Sequence, residues 1–235
     1  MQGAAAVPLP GFSIYWGHDI LSAIQIPFVD PKTQYFDYAP DGFPAFGLLP
    51  GSDVKKPFRV HMPDKLYAEF SITAKIRSMS REGGFLFAVV NPLDTVVQLG
   101  LHLAPASAEA PGHTNVTLLY TDVSIHHSSQ TIASFVVPSF TGRWGRLALA
   151  VTEASVTLYL DCEAVDTVLV DRVPRELVFD SASTLYVGQA GPIIKGFYNV
   201  SRTSTSSRSS YWGAERHGVK STRGERDDQQ QDLKS

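Results

Sequence analysis

The sequence predicts an all-β fold, a jelly-roll sandwich of two antiparallel sheets. Three observations carry this expectation. Apolar and polar residues alternate with period two, the apolar runs are short, about four to eight residues each, and turn residues separate nearly all of them. Almost no long helical period interrupts the pattern. The 235 residues suffice for one such domain.

Taken in order, residues 1–18 are Gly-, Ala- and Pro-rich and read as a disordered N-terminal segment. Asp19 can cap a first turn that carries Ile20, Leu21, Ala23 and Ile24, so a short helix ending before Pro27 is expected. Residues 27–50 are rich in proline and aromatics and read as irregular chain with one short strand at 45–49. In 67–77, Ala68, Phe70, Ile72, Ala74 and Ile76 alternate with Glu69, Ser71, Thr73, Lys75 and Arg77, the mark of a half-buried strand. The run 85–90 is continuously apolar and reads as a strand covered on both faces. The segments 96–103, 116–120, 132–137, 145–151 and 156–160 repeat the pattern, and 184–189 closes it. From Ser201 the sequence turns Ser-, Thr- and Arg-rich and then charged, so 201–235 read as a disordered tail beyond a sandwich spanning 19–200.

Composition narrows the function classes. Hydrophobic residues make up 43% and charged residues 18%, enough to bury a sizeable core. A net charge of -3 argues against a nucleic-acid partner, which a basic field would attract. No stretch approaches the roughly 18–20 consecutive apolar residues that a membrane helix requires. Residues 1–10 lack Lys and Arg, are interrupted by Pro8 and Pro10, and do not resemble a secretory signal.

The central block is specific. Asn115-Val-Thr-Leu-Leu-Tyr-Thr-Asp122, Ala133-Ser-Phe-Val-Val-Pro-Ser-Phe140 and Arg143-Trp-Gly-Arg-Leu-Ala-Leu-Ala150 follow one another. Ser155-Val-Thr-Leu-Tyr-Leu-Asp-Cys-Glu163 and Leu185-Tyr-Val-Gly-Gln-Ala-Gly191 continue the series. Together they resemble the N-terminal non-collagenous domains of the multiplexin collagens (types XV and XVIII), a thrombospondin-N-terminal, laminin-G-like family, over about residues 19–197. The resemblance implies a concanavalin A-like sandwich and a secreted, non-enzymatic module of the extracellular matrix or basement membrane. It also implies collagen trimers in a full-length parent, whereas this chain, lacking collagenous triplets, is expected to be a monomer. In the family a later cysteine pairs with the one at Cys162. Here no second cysteine occurs, and the final strand is expected to be missing. Loss of such a disulfide costs roughly 2–5 kcal/mol in a small secreted domain.

Few residues offer candidate chemistry. Lys55, Lys56, Arg59 and Lys65 form the densest basic segment before the tail, and Arg143 and Arg146 flank Trp144. These six are the candidate site for heparan sulfate or another glycosaminoglycan, held by salt-sensitive ion pairing. Matrix proteins are the other expected partners. Asn115 and Asn199 head Asn-x-Ser/Thr triplets and are candidate glycosylation sites. Asp161, Glu163 and Asp166 could be paired glycosidase carboxylates, but their setting resembles a hairpin corner, and no catalytic residue is assigned. A sugar-binding lectin or glycosidase-like protein on the same sandwich is the alternative. His126 and His127 are adjacent and point apart on extended chain, and Asp94 and Asp122 lack calcium-site spacing, so no metal and no cofactor are expected.

Overall fold

The computed structural model describes residues 16–79, 82–108, 110–139, 141–195 and 200–209. Two antiparallel sheets face each other. The larger contains β1 (Trp16–Asp19), β2 (Gln34–Tyr38), β3 (Pro44–Leu48), β5 (Phe70–Ser78), β10 (Gly145–Val151), β11 (Ser155–Leu160), β12 (Glu163–Leu169) and β14 (Val200–Ser209). The smaller contains β4 (Val54–Pro57), β6 (Gly84–Val90), β7 (Val97–Pro105), β8 (His113–Tyr120), β9 (Thr131–Pro138) and β13 (Thr184–Val187). Strand order is β12-β11-β10-β5-β14-β3-β2 in the first, with β1 also on β14, and β4-β13-β6-β7-β8-β9 in the second. The fold is an all-β jelly-roll sandwich.

Alternation places the core. Phe70, Ile72, Ala74 and Ile76 of β5 are buried toward the other sheet, while Thr73, Lys75 and Arg77 stay partly exposed on its outer face. Leu147, Leu149 and Val151 of β10 lie opposite Ala74, Ile72 and Phe70 and continue that layer. From the second sheet, Phe87, Leu101, Leu118 and Ala133 stand in register across four strands and meet it. All seven residues of β6 are buried. A second, smaller cluster of Phe85, Ala88, Val90, Val97, Tyr186 and Ala190, with Ile194 packed on it, covers the outer face at that point. The segment after β13 thus shields what would otherwise be an exposed apolar patch.

The two ends of the fold depart from the sequence reading. The expected helix after Asp19 is a single 3-10 turn, Ile20–Ala23, whose Leu21 amide donates to Asp19 Oδ1 at 2.9 Å. Ile24 is already extended, with ψ 121°, and Pro27 follows, so the turn does not continue. The larger correction concerns the final strand, which is present. β14 is polar nearly throughout, Val-Ser-Arg-Thr-Ser-Thr-Ser-Ser-Arg-Ser, and apolar alternation could not reveal it. Backbone pairing places it: Thr203 lies opposite Ile76 of β5 and Phe46 of β3, and Ser206 lies opposite Thr73. The sheet therefore runs to Ser209, nine residues past the boundary expected at 200. Residues 1–15 and 210–235, read as disordered ends, lie outside the described residues.

Candidate ligand-binding surfaces

Lys55 and Lys56 sit on β4, the edge strand beside β13, and Arg59 follows in the 3-10 turn Phe58–Val60. Lys65 is on the loop that bridges to Val178. The four cations therefore lie on one stretch of chain, 55–65, at and just beyond the edge strand β4. Three of them already hold carboxylates: Lys55 with Asp53 at 2.7 Å, Arg59 with Asp64 at 2.7 Å and Lys65 with Glu176 at 2.5 Å. Each of these pairs is well exposed, and exposed pairs contribute only about 0–1 kcal/mol. A sulfate can replace such a carboxylate at small cost.

Arg143 and Arg146 belong to the other sheet, so the six candidate cations do not form one cluster. Arg143 Nε donates to the Ser139 carbonyl at 2.7 Å, which ties the guanidinium to the turn ahead of β10. Arg146 is exposed, opposite Lys75 of β5. Trp144 is half-buried on the outer face, with Lys75 Nζ 5.9 Å and Arg77 Cζ 5.6 Å from its ring centroid. Lys75 is in turn salt-bridged to Asp41, and Arg77 stands 3.8 Å from Asp37. Trp144 is thus a capped ring on a sheet face and not part of the inter-sheet core.

Asn115 lies inside β8, between Ala104 of β7 and Val136 of β9, with Ser134 Oγ donating to its Oδ1 at 2.6 Å. Thr117 Oγ1 is 3.3 Å from the same hydroxyl. The triplet is therefore strand and not loop, its two polar side chains bridged by Ser134 on the outer face. Asn199 lies outside the described residues.

Asp161 and Cys162 are the two central residues of the β11–β12 hairpin, with φ of 48° and 75°. Left-handed values at both positions are those of a type I′ turn, which glycine or asparagine fills most easily. Asp161 Oδ1 accepts from the Arg146 amide at 2.8 Å, and the Asp161 amide donates to the Arg146 carbonyl at 2.8 Å. This carboxylate fastens the hairpin to β10. Asp166 Oδ1 accepts from the Thr167 amide next to it, and Glu163 is exposed at the start of the edge strand. The thiol of Cys162 is free and exposed. Cys162→Gly is expected to raise stability by about 0.5–1 kcal/mol, because glycine adopts the left-handed backbone without strain; a shift of the thermal midpoint to higher temperature is the check.

The other oxygen-rich positions also serve local structure. Asp94, at φ 55°, accepts the Tyr186 hydroxyl at 2.9 Å, and burial, reinforced by that hydrogen bond, pushes the phenol up to about 12. Asp122 Oδ1 accepts from the Ser124 amide and hydroxyl at 2.8 and 2.6 Å. Among the described residues no three His, Cys, Asp or Glu side chains gather as metal ligands. A cavity of about 20 Å³ between Met62, Leu66, Phe87 and Leu99 has room for one water-sized molecule, not for a sugar ring. No described helix is long and apolar enough to cross a membrane.

Sequence reasoning missed one polar centre. Arg172, 2% exposed, is buried where β8, the lead-in to β5, the β10–β11 turn and the loop before β13 converge. Its Nη1 donates to the Arg175 carbonyl at 2.6 Å and the Tyr120 hydroxyl at 3.3 Å. Its Nη2 donates to the Ala68 carbonyl and, at 3.0 Å, to the Thr152 carbonyl. The Phe70 and Tyr120 rings lie 5.7 and 5.1 Å from the guanidinium carbon. No periodicity or motif around position 172 signals this.

Fold and surfaces together define a two-sheet β-sandwich module that carries several exposed ion pairs. Comparison with known proteins places it further. Over 164 residues, 69% of its length, the sequence is 34% identical to the human collagen α-1(XVIII) chain, of which it covers 9%. Over 121 residues, 52% of its length, it is 26% identical to a collagen α-1(XXVII) chain of zebrafish, of which it covers 6%. The domain is a multiplexin-like non-collagenous domain of the collagen kind, spanning less than a tenth of the length of these relatives. No family model matches it. Among solved structures, domain 4 of an extracellular arabinanase from Geobacillus stearothermophilus aligns with a TM-score of 0.48 at 12% identity, over 75% of this chain, 74% of that one. The carbohydrate-binding module of a Ruminococcus gnavus sialidase aligns at 0.43 and 13% identity, over 60% and 76% respectively. These values describe a likeness of general backbone path.

Proposed function

We propose that the protein is a matrix module of a collagen XV/XVIII-like parent, non-enzymatic, acting outside the cell by holding sulfated glycosaminoglycan and neighbouring matrix proteins. The observation that carries the reading is the 34% identity to collagen α-1(XVIII) across 164 residues. The hairpin geometry supports the non-enzymatic part, since Asp161 spends its carboxylate on the Arg146 amide. For the polysaccharide, the β4 rim is the better of the two basic surfaces. Lys55, Lys56, Arg59 and Lys65 are borne on one short stretch, and the carboxylates that face them are exposed and exchangeable. Arg143 and Arg146 form a second, separate contact on the opposite sheet.

The test is retention of the full-length protein on heparin resin across a salt gradient. Retention beyond physiological salt is expected, with earlier elution after Lys55→Ala, Lys56→Ala and Arg59→Ala are combined. Arg143→Ala with Arg146→Ala should shift elution less. Folded protein in the flow-through would remove the polysaccharide from this reading and leave protein partners alone.

A further inference from the structure

Four described strands end the two sheets, and three of them carry charge. β2 has Asp37, β4 has Lys55 and Lys56, and β12 has Glu163 and Asp166. Charges and prolines on an edge are the usual protection of open backbone groups. β9, Thr-Ile-Ala-Ser-Phe-Val-Val-Pro, is uncharged through all eight residues, and its proline stands at the very end. The middle of the strand is open to solvent, with Ser134 exposed and Val136 57% exposed.

The hydrogen-bond phase of β9 follows from its neighbour. The Ser139 amide donates to the Gly112 carbonyl at 3.0 Å. Counting by twos through the register, Thr114 with Val137 and Val116 with Phe135 exchange bonds between β8 and β9. Ser134 and Val136 therefore turn their amides and carbonyls toward the open edge. Asn115 with Val136 and Thr117 with Ser134 are the intervening pairs, in which Cα atoms stand about 4.5 Å apart and side chains lie closest.

Val116 and Leu118 fill the core, so Asn115 and Thr117 share the outer face of β8. Ser134 Oγ holds Asn115 Oδ1 at 2.6 Å. Asn115 Nδ2 has no partner among the described residues, yet it is not one of the buried polar atoms that lack one, so it faces solvent. Its neighbours across the sheet are Ala104, which is small, and Val136. The folded strand thus leaves free the one atom that N-glycosylation uses, and a sugar attached there breaks no hydrogen bond.

We infer that Asn115 carries an N-linked glycan and that this glycan, lying over Val136, guards the β9 edge. The site rests on the extracellular reading above, because the donor, a polyprenyl-diphosphate oligosaccharide, is met in the secretory pathway. Asn115 Nδ2 displaces the diphosphate from the anomeric carbon, an N–C bond replaces the C–O bond, and one amide proton leaves. Transfer precedes pairing, since a transferase must hold Asn115 and Thr117 before β8 and β9 join. The folded strand then keeps the sugar outside. A bulky, solvated chain beside the edge does on β9 what charge does on β2, β4 and β12, and holds a foreign strand away.

The test uses the full-length protein made in animal cells behind a cleavable secretion signal. An Asn199→Gln background leaves position 115 as the sole Asn-x-Ser/Thr acceptor. Peptide mass spectrometry should find the sugar on Asn115, kept in Thr117→Ser and lost in Thr117→Ala. Those two variants, with matching circular dichroism spectra, then report the guard. On heating, light scattering should show Thr117→Ala aggregating about twofold faster or more. Made in bacteria, without sugar, the two should aggregate alike. A bare Asn115 on the folded, secreted protein overturns the inference and leaves the extracellular reading, which heparin retention tests, standing. Equal aggregation of the two animal-cell forms overturns the guard, and so does a difference of the same size between the bacterial forms.

Discussion

Replacing Arg172 with alanine is expected to lower stability by about 3–5 kcal/mol, the range for breaking a buried charge-assisted network. The guanidinium supplies donors to three carbonyls and a phenol from four separate stretches of sequence. Removing it leaves those acceptors short of donors in a place that water reaches poorly, and it leaves a void between Phe70 and Tyr120. Against a total stability of about 5–15 kcal/mol, this is a large fraction. Urea unfolding followed by tryptophan fluorescence is the check. Arg172→Lys should recover little, because an ammonium keeps the charge without the planar fork that reaches four acceptors at once. Arg175→Ala is the control. It breaks an exposed pair with Glu153, 2.7 Å long, and should cost under about 1 kcal/mol. Equal losses at 172 and 175 would show that the buried network contributes nothing beyond an ordinary surface charge.

The second large effect is expected at Gly83, the residue just before β6. Its φ is +78°, and a Cβ there would stand 2.2 Å from the Leu103 carbonyl oxygen and 2.8 Å from Ala104 Cα. Both neighbours are backbone of the paired strand and cannot swing aside. Gly83→Ala should therefore cost about 2–4 kcal/mol, a left-handed penalty near 1 plus an overpacking cost of 1–3. Gly112 isolates the first part. Its φ is +79°, but an added Cβ would meet nothing within 4 Å. Gly112→Ala should lose only about 1 kcal/mol. Thermal melts of the two variants decide it: similar midpoints would mean that the β7 backbone yields to the added methyl.

How much was legible in the sequence depended on which force placed each element. β5 and β10 were readable because burial of one face wrote itself into the alternation of Phe70, Ile72, Ala74 and Ile76 and of Leu147, Leu149 and Val151. β6 was readable as a doubly covered strand, although its cover, Tyr186, Ala190 and Ile194, comes from about a hundred residues later in the sequence. β12 was not, since this edge strand buries almost nothing and has no core face to encode. β14 was hidden for a different reason: pairing on both sides holds it, and backbone hydrogen bonds leave no signature in side-chain polarity. The candidate cations were found as residues but not as sites. Lys65 and Glu176 are distant in sequence, and only the fold brings them together. Asp161 showed the reverse, because the family resemblance implied its place at a hairpin corner while its bond to the Arg146 amide was not legible.

The position of β14 also bears on how the molecule is made. β1, β3 and, through β3, β2 join the larger sheet by way of β14, the last described strand to leave the ribosome. Synthesis therefore delivers the smaller sheet and the β5–β10–β11–β12 half complete, while one side of β5 waits with its backbone bonds unmade. The first strands wait with it. Because residues near 16–19 and 206–209 must meet across almost the whole length of the sequence, assembly of this sheet is long-range and slow by nature. A nascent polypeptide stopped before residue 200 holds a core without a closed sheet, the kind of intermediate that chaperones retain and proteases find.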